Sequence, residues 1–286
     1  MIIPCYNEAD YLSATLKSLK LQKTSANYEV IVVDNNSTDD TVSIAKKFRV
    51  KVINETIPGV CAARQAGTLA AKGEIIISTD ADTIFSPNWI NFIDQMFQQN
   101  PNFVALGGPC RYYDGPWWGK SYTHFLFGWS YLYYLIFGHP GYVTATNLAF
   151  KKTAWSGYDL NLMQGGDELG LLHQLRSVGK VGFSLNNTTY TSGRRLEKGI
   201  FYNIFVTFLY YYLAAYYLNS YFKRNIIGSA PAFRKSYTPK NIPKLAMNML
   251  IIALICLPLL YMGRGRVSTF ISDGTQDIRP FINRLF

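Results

Sequence analysis

The sequence predicts an α/β domain built on a parallel sheet with crossover helices. Short apolar runs alternate with helical stretches through the first third of the chain. Each run ends in a loop rich in Asp, Asn, Gly or Pro, residues that favour turns and helix starts. At 286 residues, the chain has room for one full α/β domain and an appendage.

Met1-Ile2-Ile3 is a strand end, followed by the Pro-broken loop Pro4-Cys5-Tyr6-Asn7-Glu8 and a helix opening near Ala9. The opening is abrupt, so a few residues are expected to precede Met1 in the natural chain, and no signal-peptide pattern is visible. Tyr28 to Val33 is the second strand, ending in Asp34-Asn35-Asn36-Ser37-Thr38-Asp39-Asp40-Thr41, with a helix through Lys47. Val50 to Asn54 is the third, and Pro58-Gly59-Val60 leads into a helix from Cys61 to Lys72. Glu74 to Ser78 is a fourth, buried strand.

Asp80 and Asp82 stand one residue apart just past that strand. In an open α/β sheet ligands bind at this end of the strands. Two carboxylates so close repel unless a cation lies between them. Mg²⁺ or Mn²⁺ takes one or two carboxylates and completes its shell with water and phosphate oxygens. The pair therefore reads as a metal site for a diphosphate, against the plainer reading of an acidic turn.

Four motifs in order make the reading specific: Ile-Ile-Pro-Cys-Tyr-Asn-Glu, Val-Val-Asp-Asn-Asn-Ser-Thr-Asp, Gly-Val-Cys-Ala-Ala-Arg-Gln-Ala-Gly and Asp-Ala-Asp. The chain resembles the family-2 glycosyltransferases with the nucleotide-sugar GT-A fold, over roughly Met1 to Arg195, which implies an α/β fold with a mixed, mainly parallel sheet, followed here by C-terminal membrane-associated helices. The resemblance implies that Pro4, Tyr6 and Glu8 border the nucleoside. It makes Asp34 the acid that hydrogen-bonds the base, and Arg64 a residue facing base or diphosphate. Asp80 and Asp82 become the metal motif, with Asp82 the preferred direct ligand. Taken alone, Glu8 is also a helix-start charge, Arg64 a solvated helix residue and Asp34 a turn residue.

Gly141 to Phe150 reads as a strand, followed by Lys151-Lys152 and a short helix. Gly165-Gly166-Asp167-Glu168 then opens a helix that ends at Gly179, read as a C-cap. Acids at a helix start also follow from the dipole alone. Similar glycosyltransferases carry a Glu-Asp pair here whose acid deprotonates the acceptor. In this chain the order is inverted, so both Asp167 and Glu168 are candidates, with Glu168 favoured by its offset from Arg176 and Gly179. Arg194 and Arg195, in a Ser/Gly turn, suit phosphate or acceptor contact because guanidinium forks match phosphate oxygens. The implied chemistry is inverting transfer from a UDP- or GDP-sugar to a glycan or polyprenyl-linked acceptor.

Aromatics make up 15% of the chain and crowd into Tyr122 to Tyr142 and Ile200 to Phe222, which suits a membrane interface better than a soluble core. Core packing is the other reading of the first cluster. Leu245 to Met262 is an uncharged stretch that would reach ~27 Å as a helix, just enough to span a thin bilayer. The expected organisation is a catalytic domain over 1–195, an interfacial helix and basic linker over 196–244, a membrane-inserted helix over 245–262 and a tail over 263–286. Basic residues between Phe222 and Lys244 place the linker, and with it the catalytic domain, on the cytoplasmic side.

The net charge of +10 comes with no nucleic-acid motif, so an anionic membrane and an anionic donor account for it. Cys5, Cys61, Cys110 and Cys256 show no zinc or disulfide spacing. Two rival readings fit the residues less well. A non-catalytic membrane-tethered nucleotide-sugar-binding protein would lack Asp82 or both Asp167 and Glu168, and all three are present. A nucleotidyltransferase would carry a Gly-rich basic loop after the first strand, and Pro4-Cys5-Tyr6-Asn7 is unlike one.

Overall fold

The computed structural model describes residues 1–160, 167–222 and 226–227. The strands are β1 (Ile2–Cys5), β2 (Ile31–Asp34), β3 (Lys51–Asn54), β4 (Ile75–Ser78), β5 (Thr83–Phe85), β6 (Phe103–Gly107), β7 (Cys110–Tyr112), β8 (Leu148–Lys151), β9 (Lys180–Phe183) and β10 (Thr189–Thr191). The helices are α1 (Ala9–Lys20), α2 (Thr41–Lys47), α3 (Val60–Ala70), α4 (Trp89–Gln99), α5 (Trp118–Phe137), α6 (Asp167–Val178) and α7 (Ala215–Phe222).

Seven strands form one sheet in the order β3-β2-β1-β4-β8-β6-β9. All pairings are parallel except those of β8 with β4 and β6, so the sheet is mixed and mainly parallel as expected. Strand alternation splits the core between its two faces. Ile3, Val32, Ile77 and Leu106 pack with Leu12 and Leu16 of α1 and Ile93 of α4. Ile2, Ile31, Val33 and Ile76 pack with Ala63 of α3 and Leu175 of α6.

Strand order reverses between β1 and β4, which opens a crevice at their C-terminal ends. Pro4 sharpens it. The Ile2 carbonyl accepts from Thr79 N at 3.2 Å, and the next β1 donor facing β4 falls at Pro4, which has no N–H. Pairing of β1 with β4 is confined to Ile2 and Ser78. The β1 and β2 loops are laced together instead. Asn7 N donates to Ser37 Oγ at 3.0 Å, and Thr38 N to Asn7 Oδ1 at 2.7 Å. Asn7 and Asn36 sit at φ 55° and 67°, a region that Asn tolerates better than most side chains.

A second sheet, β5-β10-β7, lies outside the sequence reading. Thr191 of β10 pairs Thr83 of β5 and Tyr112 of β7, which brings the chain after β10 beside Asp82.

Three sequence expectations are corrected. The run Gly141 to Phe150 is strand only from Leu148. Before it, Ala145–Asn147 form a 3₁₀ turn whose Thr144 side chain accepts from Thr146 N at 3.3 Å. The β4–β8 register stops at Ser78 and Leu148, so the residues before Leu148 are released to point hydroxyls at the crevice. Gly179 is not among the left-handed glycines, so it is no αL C-cap. Its need is space, since a Cβ there would meet Val104 Cγ1 at 2.5 Å. The first aromatic cluster is neither wholly core nor wholly surface, because α5 buries one face through Thr123, Phe127 and Ser130. The second cluster is helical, a π-type helix Tyr202–Ala214 running into α7. Among the described residues no helix is long and apolar enough to cross a membrane. The segment Leu245 to Met262, the tail and most of the linker lie outside those residues.

Asn147 ties the layers together. Its Oδ1 accepts from Trp89 Nε1 at 3.1 Å, and its Nδ2 donates to the Pro109 carbonyl at 2.9 Å. Both Asn147 and Trp89 are buried. Asn147→Ala orphans those groups and is expected to lower unfolding stability by about 3 kcal/mol, measured in urea. A change near zero would show that water replaces the amide.

Candidate active site

The site is assembled at the crevice from four loops. Thr79-Asp80-Ala81-Asp82 leave β4, and the two carboxylates diverge to different partners. Asp80 Oδ1 receives Arg64 Nη2 at 2.8 Å, and Asp80 Oδ2 receives the Thr146 hydroxyl at 2.7 Å. Arg64 comes from α3 and is buried, whereas Asp80 keeps about a third of its side chain exposed toward the crevice. Asp82 turns the other way. Its Oδ1 receives the Thr191 hydroxyl at 2.9 Å, and its Oδ2 lies 3.2 Å from Arg194 Nη2.

Arg194 joins this acid to a third. Its Nη2 also donates to Glu8 Oε1 at 2.7 Å and Oε2 at 3.0 Å, and its guanidinium lies 4.4 Å from the Tyr11 ring centroid. The loop that carries it is clamped by Asp114, which accepts from the Ser192 hydroxyl at 3.1 and 3.0 Å and from Gly193 N. Gly193 is required there, because a Cβ would press on the Asp114 carbonyl.

Electrostatics follow from that packing. Burial raises the Asp82 carboxyl above its ordinary range, and the Asp80 charge raises it further, against the pull of Arg194, Arg195 and Thr191. Burial also raises Glu8, opposed by Arg194. Burial alone would lower the Arg194 guanidinium, but Glu8 and Asp82 keep it above its usual value. Cys110 lies within reach of the same field: burial, then Asp80, push its thiol up to about 12.

The predicted residues therefore converge unevenly. Arg64 with Asp80, and Glu8 with Arg194 and Asp82, form two bonded groups joined by the charge of Asp80 acting on Asp82. Glu8, expected beside a nucleoside, spends its carboxylate on Arg194. Asp34 is buried at the neighbouring strand end, its Oδ1 accepting from Ser37 N at 3.2 Å. Pro4 lies within β1 and Tyr6 is half-buried in the loop after it. Arg195 is exposed but close enough to lower Glu8 and Asp82. Glu168 stands in the first turn of α6, half-buried, and its charge helps burial raise the hydroxyl of Tyr142. The Asp167 side chain lies outside the described residues. Thr146, Thr191, Tyr11 and Asp114 were missed. Thr146 lay in the Gly141 to Phe150 run read only as a strand, and Thr191 directly before the Ser/Gly turn of Arg194 and Arg195.

The donor set fits a divalent cation. Asp82 is an acid whose ionisation is opposed by burial and by a second acid, and added positive charge relieves both. Among the described residues there is no cluster of three or more His, Cys, Asp or Glu side chains able to hold a metal, so further ligands would come from water and substrate.

A model described as glycosyl transferase family 2 matches residues 1–156, more than half of the chain. The chain belongs to that family. This family 2 member is 35% identical over 120 residues to a chondroitin synthase of Escherichia coli, covering 40% of this chain and 17% of that protein. It is 33% identical over 118 residues to the glycosyltransferase GlyG of Streptococcus pneumoniae, covering 39% of each. The match thus spans well under half the length of either curated relative. TarS of S. aureus, solved with UDP-GlcNAc, superposes with TM-score 0.55 at 17% identity, over 68% of this chain and 58% of that one. The mannosyltransferase PcManGT of Pyrobaculum calidifontis, solved with GDP-Man and Mn2+, gives 0.52 at 20% identity, over 67% and 55%. At such identities the likeness is one of fold, and the fold is GT-A.

The Arg194 bridge makes a measurable claim. In a double-mutant cycle of Glu8→Ala and Asp82→Ala, each single change leaves Arg194 one carboxylate and the double change leaves none. Urea unfolding is expected to give a coupling of about 1 to 2 kcal/mol. Additivity within ~0.5 kcal/mol would break the bridge.

Proposed function

We propose that the protein is an inverting glycosyltransferase. It moves a sugar from a UDP- or GDP-sugar to a hydroxyl on a glycan or polyprenyl-linked acceptor, at the cytoplasmic face of a membrane. The observation that carries this is the placing of Asp80 and Asp82 at the β1–β4 crevice, between two arginines, in a family 2 chain.

On this reading Asp34 and Tyr6, at the ends of β2 and β1, bind the nucleoside. Arg64 fixes Asp80, and Arg194 and Arg195 present positive charge to the diphosphate. Asp82, with Asp80, would hold Mg²⁺ or Mn²⁺. When bound, that ion supplies charge stabilisation for the departing diphosphate. Glu168 takes the proton of the acceptor hydroxyl. The acceptor oxygen then bonds to the anomeric carbon as the bond to the diphosphate oxygen breaks, and the nucleoside diphosphate leaves with the electron pair. Ionisation of Tyr142 is suppressed by burial and by Glu168, so the tyrosine stays protonated beside the base.

Membrane attachment is supported by proximity. Ile200 follows Arg195 by five residues, a reach of at most ~18 Å. Exposed Phe201, Phe205 and Leu209 lie along the helical segment that begins there. The proposed catalytic unit is 1–195, with 245–262 as the inserted segment.

The test is a panel of UDP- and GDP-sugars with purified membranes, reading nucleoside diphosphate release with and without a polyprenyl-linked acceptor. Asp82→Ala is expected to abolish transfer, and a chelator to do the same to the unaltered enzyme. Full turnover in chelator would overturn the metal assignment. Glu168→Gln is expected to cut kcat by ~10²–10⁴ with donor binding nearly unchanged. If Asp167→Asn does so instead, the base is Asp167. If neither does, the acceptor arrives already ionised, as a polyprenyl phosphate would.

A further inference from the structure

We infer that the outer face of α5 docks onto an anionic bilayer, with lipid phosphate seated in a basic hollow at the C-terminal end of the helix. The inference deepens the membrane side of the proposed function and does not depend on the transfer reaction.

Helix α5 buries Thr123, Phe127 and Ser130 toward the sheet. Opposite them stand Phe125, Trp129, Leu132 and Ile136, which are 78%, 47%, 55% and 64% exposed. Their spacing of four, three and four residues is that of one helical stripe. An apolar stripe of about three turns exceeds the scattered exposure that surfaces tolerate.

Charge selects the occupant. No acid occurs in α5, and Lys120 and His124 lie near its start. Where the helix ends, a hollow of about 340 Å³ opens, lined among others by His139, His173, Arg176 and Lys180 and by no Asp or Glu. Arg176 lies in the last turn of α6, where the helix dipole alone would favour it. Lys180 belongs to β9, where it lies over the Phe103 ring at 5.4 Å, and His139 follows α5, so the dipole does not explain the group. Arg176 Nη2 donates to His139 Nε2 at 2.7 Å, and exposed Phe137, the residue after Ile136, stacks on His139 with centroids 6.5 Å apart, so the C-terminal end of the helix adjoins the basic hollow. A second copy of a chain with net charge +10 would be repelled by this surface, whereas anionic headgroups are attracted. Aromatic and aliphatic side chains beside cations are what an interfacial helix presents.

Docking there has a consequence for the site. Gly119, at the other end of α5, packs against Leu196, next to the turn that carries Arg194. A helix of 20 residues lying in the interface would hold that end of the crevice at headgroup depth, ~30 Å from the hollow.

The experiment uses the full chain with Cys256→Ser, since the cysteines Cys5, Cys61 and Cys110 are buried. Leu132→Cys carries an environment-sensitive fluorophore. Gln99→Cys, exposed on α4 across the sheet, is the control. Phosphatidylcholine vesicles with and without phosphatidylglycerol carry a nitroxide at the top of the acyl chains. Blue shift and quenching are expected at position 132 and not at 99, and stronger with phosphatidylglycerol. Arg176→Gln with Lys180→Gln is expected to abolish that preference, a loss of about 30-fold in apparent affinity if each cation contributes ~1 kcal/mol. Equal signals at 132 and 99 would overturn the proposal. So would a position 132 already shielded without vesicles, which would mean cover by another part of the chain or a second copy. A lipid preference unchanged by the double substitution would overturn the hollow. None of these readouts involves sugar transfer, so failure here and failure of the transferase reading are separable.

Discussion

The rest of the molecule depends on neutralising two carboxylates that stand one residue apart at the end of one buried strand. Each is given its own guanidinium, from a different part of the fold. Arg64 reaches Asp80 from α3, which packs on the seven-stranded sheet. Arg194 reaches Asp82 from the turn after β10, which exists only because the small sheet pairs Thr191 with Thr83. The charge balance therefore couples the two sheets. Loss of Arg194 would leave the enclosed Asp82 uncompensated beside another acid, a costly arrangement in a folded interior, whereas Asp80 keeps some contact with solvent if Arg64 is lost.

The coupling also suits the proposed chemistry. A diphosphate brings negative charge and a divalent ion brings positive charge, and the crevice already holds both signs in exchangeable pairs. Asp80 keeps part of its side chain open to the crevice, while Asp82 is more enclosed, and its ionisation is opposed by burial. On the proposed function, that asymmetry is why Asp82 is the stronger candidate for direct metal contact and Asp80 for orientation through Arg64.

Much of this was legible in the sequence because it is local. Strand runs, turn residues and the Asp80–Asp82 spacing all lie within short windows, and the first four strands with their helices fall close to where the pattern puts them. What was not legible depends on distant pairing. The small sheet joins three-residue strands that carry no periodic signal, so Thr191, Asp114 and Tyr11 could not be tied to Asp82. Gly179 was misread because a glycine at a helix end suggests a left-handed cap, whereas its need is space against Val104 on another strand. The aromatic stretch of α5 gave an ambiguous reading because one helix buries one face and exposes another, and composition does not resolve faces.

The central claim is that Asp80 and Asp82 form the donor-diphosphate site. Calorimetric titration of UDP and of GDP into the full chain with Mn²⁺ tests it most directly, repeated with chelator and with Asp82→Asn. The account predicts saturable binding of at least one nucleotide that weakens by tenfold or more in both controls, roughly 1.4 kcal/mol or above. Nucleotide binding of equal strength in all three titrations would contradict it.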